Sequence, residues 1–196
     1  MSQTFTRYAI IAMVLVGFSA VVYACSRATD TTTGTTKLEK LAVGEMARLD
    51  FTFKGEPAPM DLFYAPLGQQ TSLEDFAGKA ILLNIWATWC APCEKEMPSL
   101  AALQTARGGD DFEVIALSID EISDREFAIG QLKRFSGGAL DFYQAETLGI
   151  TYNLGVTGFP TTILYDADGR EVARYLGDTN WSGYEAIAFI DAVIAD

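Results

Sequence analysis

The sequence predicts one α/β domain, a mixed β-sheet flanked by helices, placed behind a separate N-terminal segment. Three observations predict it. The chain has 196 residues, of which 49% are hydrophobic and 20% charged, enough for one domain with a full core. Two nearly continuous apolar runs, Lys79–Trp86 and Phe112–Ser118, bracket a helical stretch, which calls for a buried parallel pair joined by a crossover. Further on, Asp166-Ala167-Asp168-Gly169 separates two strand-like runs and predicts a hairpin of antiparallel strands.

In chain order, residues 1–25 read as a membrane anchor or signal segment. Tyr8–Ala24 is almost wholly apolar, follows Arg7, and as a helix would span roughly 26 Å. An uncleaved anchor is favoured because the run exceeds the usual signal-peptide core. A lipoprotein modified at Cys25, or cleavage after Ala24, are the alternatives, and all three export the globular part of the chain. The Thr-rich stretch 26–36 reads as a linker, and the globular domain as 37–196. Leu38, Leu41, Ala42 and Met46 predict a short amphipathic helix, and the alternation in Arg48–Phe53 predicts a strand in front of the sheet. Ser72, Asp75 and Gly78 mark a capped helical turn. Helices are predicted over Ala91–Ala106, Asp124–Phe135 and Trp181–Ile194, with Phe127, Leu132 and Phe135 on the buried face of the second. Strands are predicted over Thr161–Tyr165 and Glu171–Tyr175.

Composition removes much chemistry. The 14 Lys and Arg stand against 26 Asp and Glu, and only Arg7 and Arg27 precede the acids, so residues 28–196 carry −14. Such a surface repels phosphates, which argues against nucleic acid as a partner. Histidine is absent. Ser-His and Cys-His catalysis and histidine metal ligation therefore fall away.

What remains is Trp86-Ala-Thr-Trp-Cys-Ala-Pro-Cys93, placed where a buried strand turns into a helix. Cys90 would face unpaired backbone N–H groups and the positive end of the helix dipole, which lowers a thiol's pKa. Cys93 lies three residues on, one turn behind on the same face, able to attack a mixed disulfide at Cys90. Pro92 suits the first turn. A purely structural disulfide would close too short a loop to stabilise much. A zinc site lacks ligands, since only Cys25 remains. A Cu(I)-carrying thiol pair stays open as an alternative.

Ile85-Trp-Ala-Thr-Trp-Cys-Ala-Pro-Cys93, then Glu94-Lys-Glu-Met-Pro98, then Gly158-Phe-Pro-Thr161, resemble the thioredoxin superfamily. Within it the chain is most similar to the TlpA-like branch of membrane-anchored, extracytoplasmic thiol-disulfide oxidoreductases. The resemblance runs from about Ala47 to the C-terminus. It implies a thioredoxin-like fold with an N-terminal extension and a central insertion that includes the second helix and the Gly137–Leu154 stretch. It implies Cys90 as the exposed attacking thiol, Cys93 as the buried resolving one, and Pro160 as a cis-proline beside them. Trp89 would shield the pair, and Trp89, Phe159 and Thr161 would meet the substrate. Thioredoxins usually carry a buried Asp six residues before the first cysteine; here it is Asn84, which cannot shuttle protons. The branch uses a helix Glu instead, and Glu96 matches, half-buried, sharing a face with Cys93. Glu94 reads as a solvated helix glutamate, and Pro98 predicts a kink. No cofactor and no metal are implied.

The direction of electron flow leans on charge. Glu94 and Glu96 stand near Cys90 with only Lys95 opposing, which destabilises the thiolate and favours the disulfide form. The couple then donates electrons, so a reductase is expected over a disulfide-introducing oxidase. Its expected clients are disulfides of exported proteins in copper-centre or cytochrome assembly, although Thr161 replaces the acid typical of the cytochrome group. A membrane electron-donor reductase is the expected source of electrons, at the periplasmic face of the inner membrane.

Overall fold

The strand β3, Ala80–Trp86, has all seven residues buried. It is covered on both faces, which its unbroken apolar run requires. The computed structural model describes residues 38–195, so the predicted anchor and linker lie outside the described residues. The strands are β1 (Phe63–Tyr64), β2 (Gln70–Thr71), β3, β4 (Phe112–Ser118), β5 (Phe142–Ala145), β6 (Thr161–Tyr165) and β7 (Glu171–Leu176). All seven form one sheet in the order β2-β1-β5-β4-β3-β6-β7. The helices are α1 (Ala91–Arg107), α2 (Arg125–Ser136), α3 (Gly149–Asn153) and α4 (Tyr184–Ile194). The predicted parallel pair is β3 with β4, in register from Ala80↔Phe112 to Trp86↔Ser118, with α1 as the crossover. The predicted hairpin is β6 with β7, and β6 flanks β3 antiparallel, Ile85 opposite Thr161. Both neighbours of β3 thus hold its C-terminal end in place. Ser72 and Asp75 form the expected capping box, over a 3₁₀ turn at Leu73–Phe76.

Several elements differ from the sequence reading. The amphipathic helix is split into a helical turn at residues 38–41 and a 3₁₀ turn at Gly44–Arg48. Gly44 sits at φ +59°, left-handed backbone that interrupts an α-helix. Arg48–Phe53 is no strand: one bridge, Asp50↔Arg174, is all that forms. The Asp50 carboxylate then accepts from the N–H and hydroxyl of Thr52, at 2.8 and 2.6 Å, and curls the chain away. The edge is built instead by β1, β2 and β5, strands of two to four residues too short to show alternation. Helix α2, strand β5 and helix α3 occupy the stretch read from the sequence as a central insertion. The buried stripe of α2 is Ala128, Leu132 and Ser136; Phe127 is 59% exposed and Phe135 half-buried. Helix α1 holds Pro98 inside it, where the sequence reading placed it. Helix α4 starts at Tyr184, three residues after Trp181, because the Asn180 side chain accepts from the Ser182 N–H and holds a turn there.

Leu83 is fully buried at the centre of β3. Leu83→Ala is expected to lower the unfolding free energy by about 2–5 kcal/mol, read as a fall in urea midpoint with the slope unchanged.

Candidate active site

At the end of β3 the chain turns through Ala87–Trp89 into α1. An acid that no sequence motif marks fixes this turn. The buried Asp120 carboxylate, just past β4, accepts from the Thr88 N–H at 3.0 and 3.2 Å, from the Thr88 hydroxyl at 2.8 Å and from the Ser118 hydroxyl at 2.8 Å. The Gln144 amide ties the Asp120 and Glu121 carbonyls to β5, both at 3.1 Å. The turn before the cysteines is therefore clamped from two neighbouring strands.

Cys90 is the N-cap of α1, and its sulfur accepts the Cys93 N–H at 3.3 Å. Cys90 and Cys93 are joined by a disulfide. Cys93 has no exposed surface and Cys90 keeps 6%. Cys90 is thus the more accessible of the two, but it is not the exposed thiol expected from the sequence. In the oxidised pair its sulfur is turned in toward Cys93 and the helix N-terminus. Opposite Ile85, the segment Gly158–Thr161 reaches the C-terminal end of β3, with the Phe159–Pro160 peptide cis. Trp89 stands 66% exposed and meets half-buried Phe159 edge-on, centroids 5.6 Å apart. Thr161 is 4% exposed and its hydroxyl donates to the Gly158 carbonyl at 2.7 Å, so it braces the loop from inside.

Glu96 lies one turn beyond Cys93 and is 2% exposed, deeper than the half-burial expected. Its carboxyl accepts from Asn84 Nδ2 at 2.7 Å and from Trp181 Nε1 at 3.1 Å. The Thr179 N–H also donates to it. Asn84 Nδ2 reaches Thr162 Oγ1 as well, at 2.9 Å. Among the described residues no cation pairs with Glu96, unlike Glu171, the other buried glutamate, which is bonded twice to Arg174 at 2.6 Å. Burial dominates over the three donors and pushes the Glu96 carboxyl up to about 7, with the Asp178 charge adding to the rise. Glu94 is exposed, as expected. The sequence marks Asn84 only as an absent proton shuttle. Its place as a donor to Glu96, and that of Trp181, are contacts across 12 and 85 residues that no local pattern marks.

A disulfide at a helix N-terminus, with a carboxyl near neutrality one turn on, is equipped for two-electron exchange with proton transfer. The chain matches the Redoxin family over residues 52–191. It belongs to that family. Among curated relatives, the thiol-disulfide oxidoreductase ResA of Bacillus thuringiensis is 36% identical over 128 residues, covering 63% of this chain and 70% of that protein. The ResA of Geobacillus kaustophilus is 34% identical over 123 residues, covering 59% and 65%. Among solved structures, the thioredoxin domain of a thiol-disulfide oxidoreductase from Bacteroides vulgatus superposes with a TM-score of 0.61 at 24% identity, covering 72% of this chain and 97% of that one. This Redoxin protein is a TlpA-like member of the thioredoxin superfamily and a thiol-disulfide oxidoreductase.

The buried carboxyl has a consequence for stability. The folded Glu96 pKa of about 7 lies above the ordinary 4.5, so its contribution is complete below pH 4.5 and lost as pH rises through 7. The loss amounts to about 3 kcal/mol. With no histidine in the chain, no other side chain with an ordinary pKa titrates between pH 5 and 8. Urea unfolding of the oxidised protein at pH 5 and pH 8 is expected to show this fall, and Glu96→Gln to flatten it.

Proposed function

We propose that this oxidoreductase is an extracytoplasmic reductase of disulfides in exported proteins, acting by dithiol-disulfide exchange. The observation that carries the mechanism is the Cys90–Cys93 disulfide at the start of α1 with Glu96 buried one turn behind it. In the reduced protein the Cys90 thiolate, favoured by the N–H groups and dipole of α1, attacks one sulfur of a client disulfide. The client S–S bond breaks, its other sulfur leaves as a thiolate that takes a proton from solvent, and Cys90 is left in a mixed disulfide. Cys93 then passes its proton to Glu96 and attacks the Cys90 sulfur. The Cys90–Cys93 bond forms and the second client thiolate departs, protonated by Glu96. Two electrons and two protons reach the client. The exposed Trp89 ring, held edge-on by Phe159, offers the client a flat apolar contact, with the Gly158–Thr161 loop alongside.

Placement outside the cytoplasm rests on the apolar Tyr8–Ala24 stretch behind Arg7, which would tether the domain at the periplasmic face of the inner membrane. An oxidising compartment cannot recharge the dithiol, so a membrane electron-donor reductase is the required partner. Clients would be disulfides formed during copper-centre or cytochrome assembly. The reductase direction is supported by the uncharged Ala91-Pro92 pair between the cysteines and the exposed Glu94 in the first turn.

Equilibration of the full chain in detergent against glutathione buffers tests the direction. A potential at or below roughly −230 mV is expected of an electron donor. A value near roughly −120 mV would make the protein a disulfide-introducing oxidase.

A further inference from the structure

The loop Gly177–Ser182, between β7 and α4, touches three parts of the molecule at once. The Gly177 N–H donates to the Pro160 carbonyl at 2.9 Å, tying the loop to the cis-proline segment. The Thr179 N–H and Trp181 Nε1 donate to the Glu96 carboxyl. On its outer side the Thr179 hydroxyl donates to Glu45 Oε2 at 2.7 Å, and the Asn180 N–H to the same oxygen at 3.4 Å. Glu45 belongs to the 3₁₀ turn Gly44–Arg48, far from the cysteines in sequence.

That turn is firmly seated. Met46 is buried at 1% exposure, and Arg48 lies over the Tyr175 ring, 4.8 Å from its centroid, while donating to the Leu176 carbonyl at 3.2 Å. Gly44 takes its left-handed conformation against α4, where a Cβ would stand 3.1 Å from the Glu185 carboxylate. Glu45 is therefore presented by a rigid element. It stands on the rim of a cleft of about 510 Å³ that Glu96 also lines, with Lys95, Ser99, Asp178 and Thr179. Thr179 joins the two acids: its hydroxyl donates to Glu45 and its N–H to the Glu96 carboxyl.

We propose that Glu45 is a positioning residue for Glu96: it latches the Thr179–Trp181 loop over the buried carboxyl and so sets how readily that carboxyl holds a proton. The inference rests on the reading of Glu96 as the proton acceptor of the exchange. The groups facing Glu96 are Asn84 from β3, Thr179 and Trp181 from the loop, and the Asp178 carboxylate, itself paired with Lys95. Glu45 is held ionised by the Thr179 hydroxyl and the Asn180 N–H, so the latch is charge-assisted. Releasing it admits water to a carboxyl whose proton affinity is raised chiefly by exclusion from water, and the affinity falls.

The test is the Glu96 13C carboxyl resonance across pH in the oxidised full chain in detergent, assigned by its loss in Glu96→Gln. The wild type is expected to titrate near 7. Glu45→Ala and Thr179→Val are expected to move that midpoint down by about half a unit, roughly threefold in proton affinity. Thr179→Val alters a single polar group and keeps the backbone donor, so it reads the latch if Glu45→Ala folds poorly. Glu45→Gln retains an acceptor for Thr179 and is expected to stay nearer the wild type. A wild-type midpoint near 7 that neither Glu45→Ala nor Thr179→Val shifts would overturn the latch alone. A wild-type Glu96 that stays ionised through pH 5–8 would overturn the proton-acceptor reading and the latch with it.

Discussion

The hydrogen bond from Asn84 Nδ2 to Glu96, 2.7 Å long and wholly buried, joins the central strand to the helix that carries both cysteines. An isolated carboxylate removed from water is unfavourable by several kcal/mol, and donors recover only part of that. Here three donors converge from β3 and from the loop before α4, and burial still prevails. The carboxyl, one turn beyond Cys93, is thereby pushed up to about 7. By contrast Glu171 is paired with Arg174, whereas among the described residues no cation meets Glu96.

The same restraint appears on the other side of the cysteines. Asp120 accepts backbone and hydroxyl donors from Thr88, and so holds the turn between β3 and α1. With the turn clamped, Cys90 is fixed as the N-cap, where its sulfur meets the Cys93 N–H. One carboxyl organises the backbone ahead of the disulfide, and in the proposed mechanism a second, behind it, holds the proton. Histidine, the side chain that ordinarily titrates near neutral pH, is absent from the chain.

Features encoded in contiguous residues are legible in the sequence. The unbroken apolar run of β3, the parallel β4, the β6–β7 hairpin and the Cys-Ala-Pro-Cys helix start all follow from local pattern and spacing. The edge strands β1, β2 and β5 do not, because two to four residues show no period, and their pairing is set by the neighbour they meet. Arg48–Phe53 alternates like a strand, yet the Asp50 side chain captures Thr52 and the chain curls. At the site, the two cysteines are marked by their spacing at a helix start, and Glu96 by the family resemblance, helical spacing placing it on the face of Cys93. Trp181 and Asp120 are not, since only the folded chain brings them to Glu96 and Thr88.

The central claim, that Glu96 takes the proton from Cys93 as the mixed disulfide resolves, is tested most directly by separating the two exchange steps. Stopped-flow mixing of reduced protein with a small-molecule disulfide measures attack by Cys90 and then release of the second thiol. Glu96→Gln is expected to leave the attack step near wild type while slowing resolution by roughly 10²-fold or more, so that the mixed disulfide accumulates. Resolution in Glu96→Gln at the wild-type rate, with the same pH profile, would contradict the account.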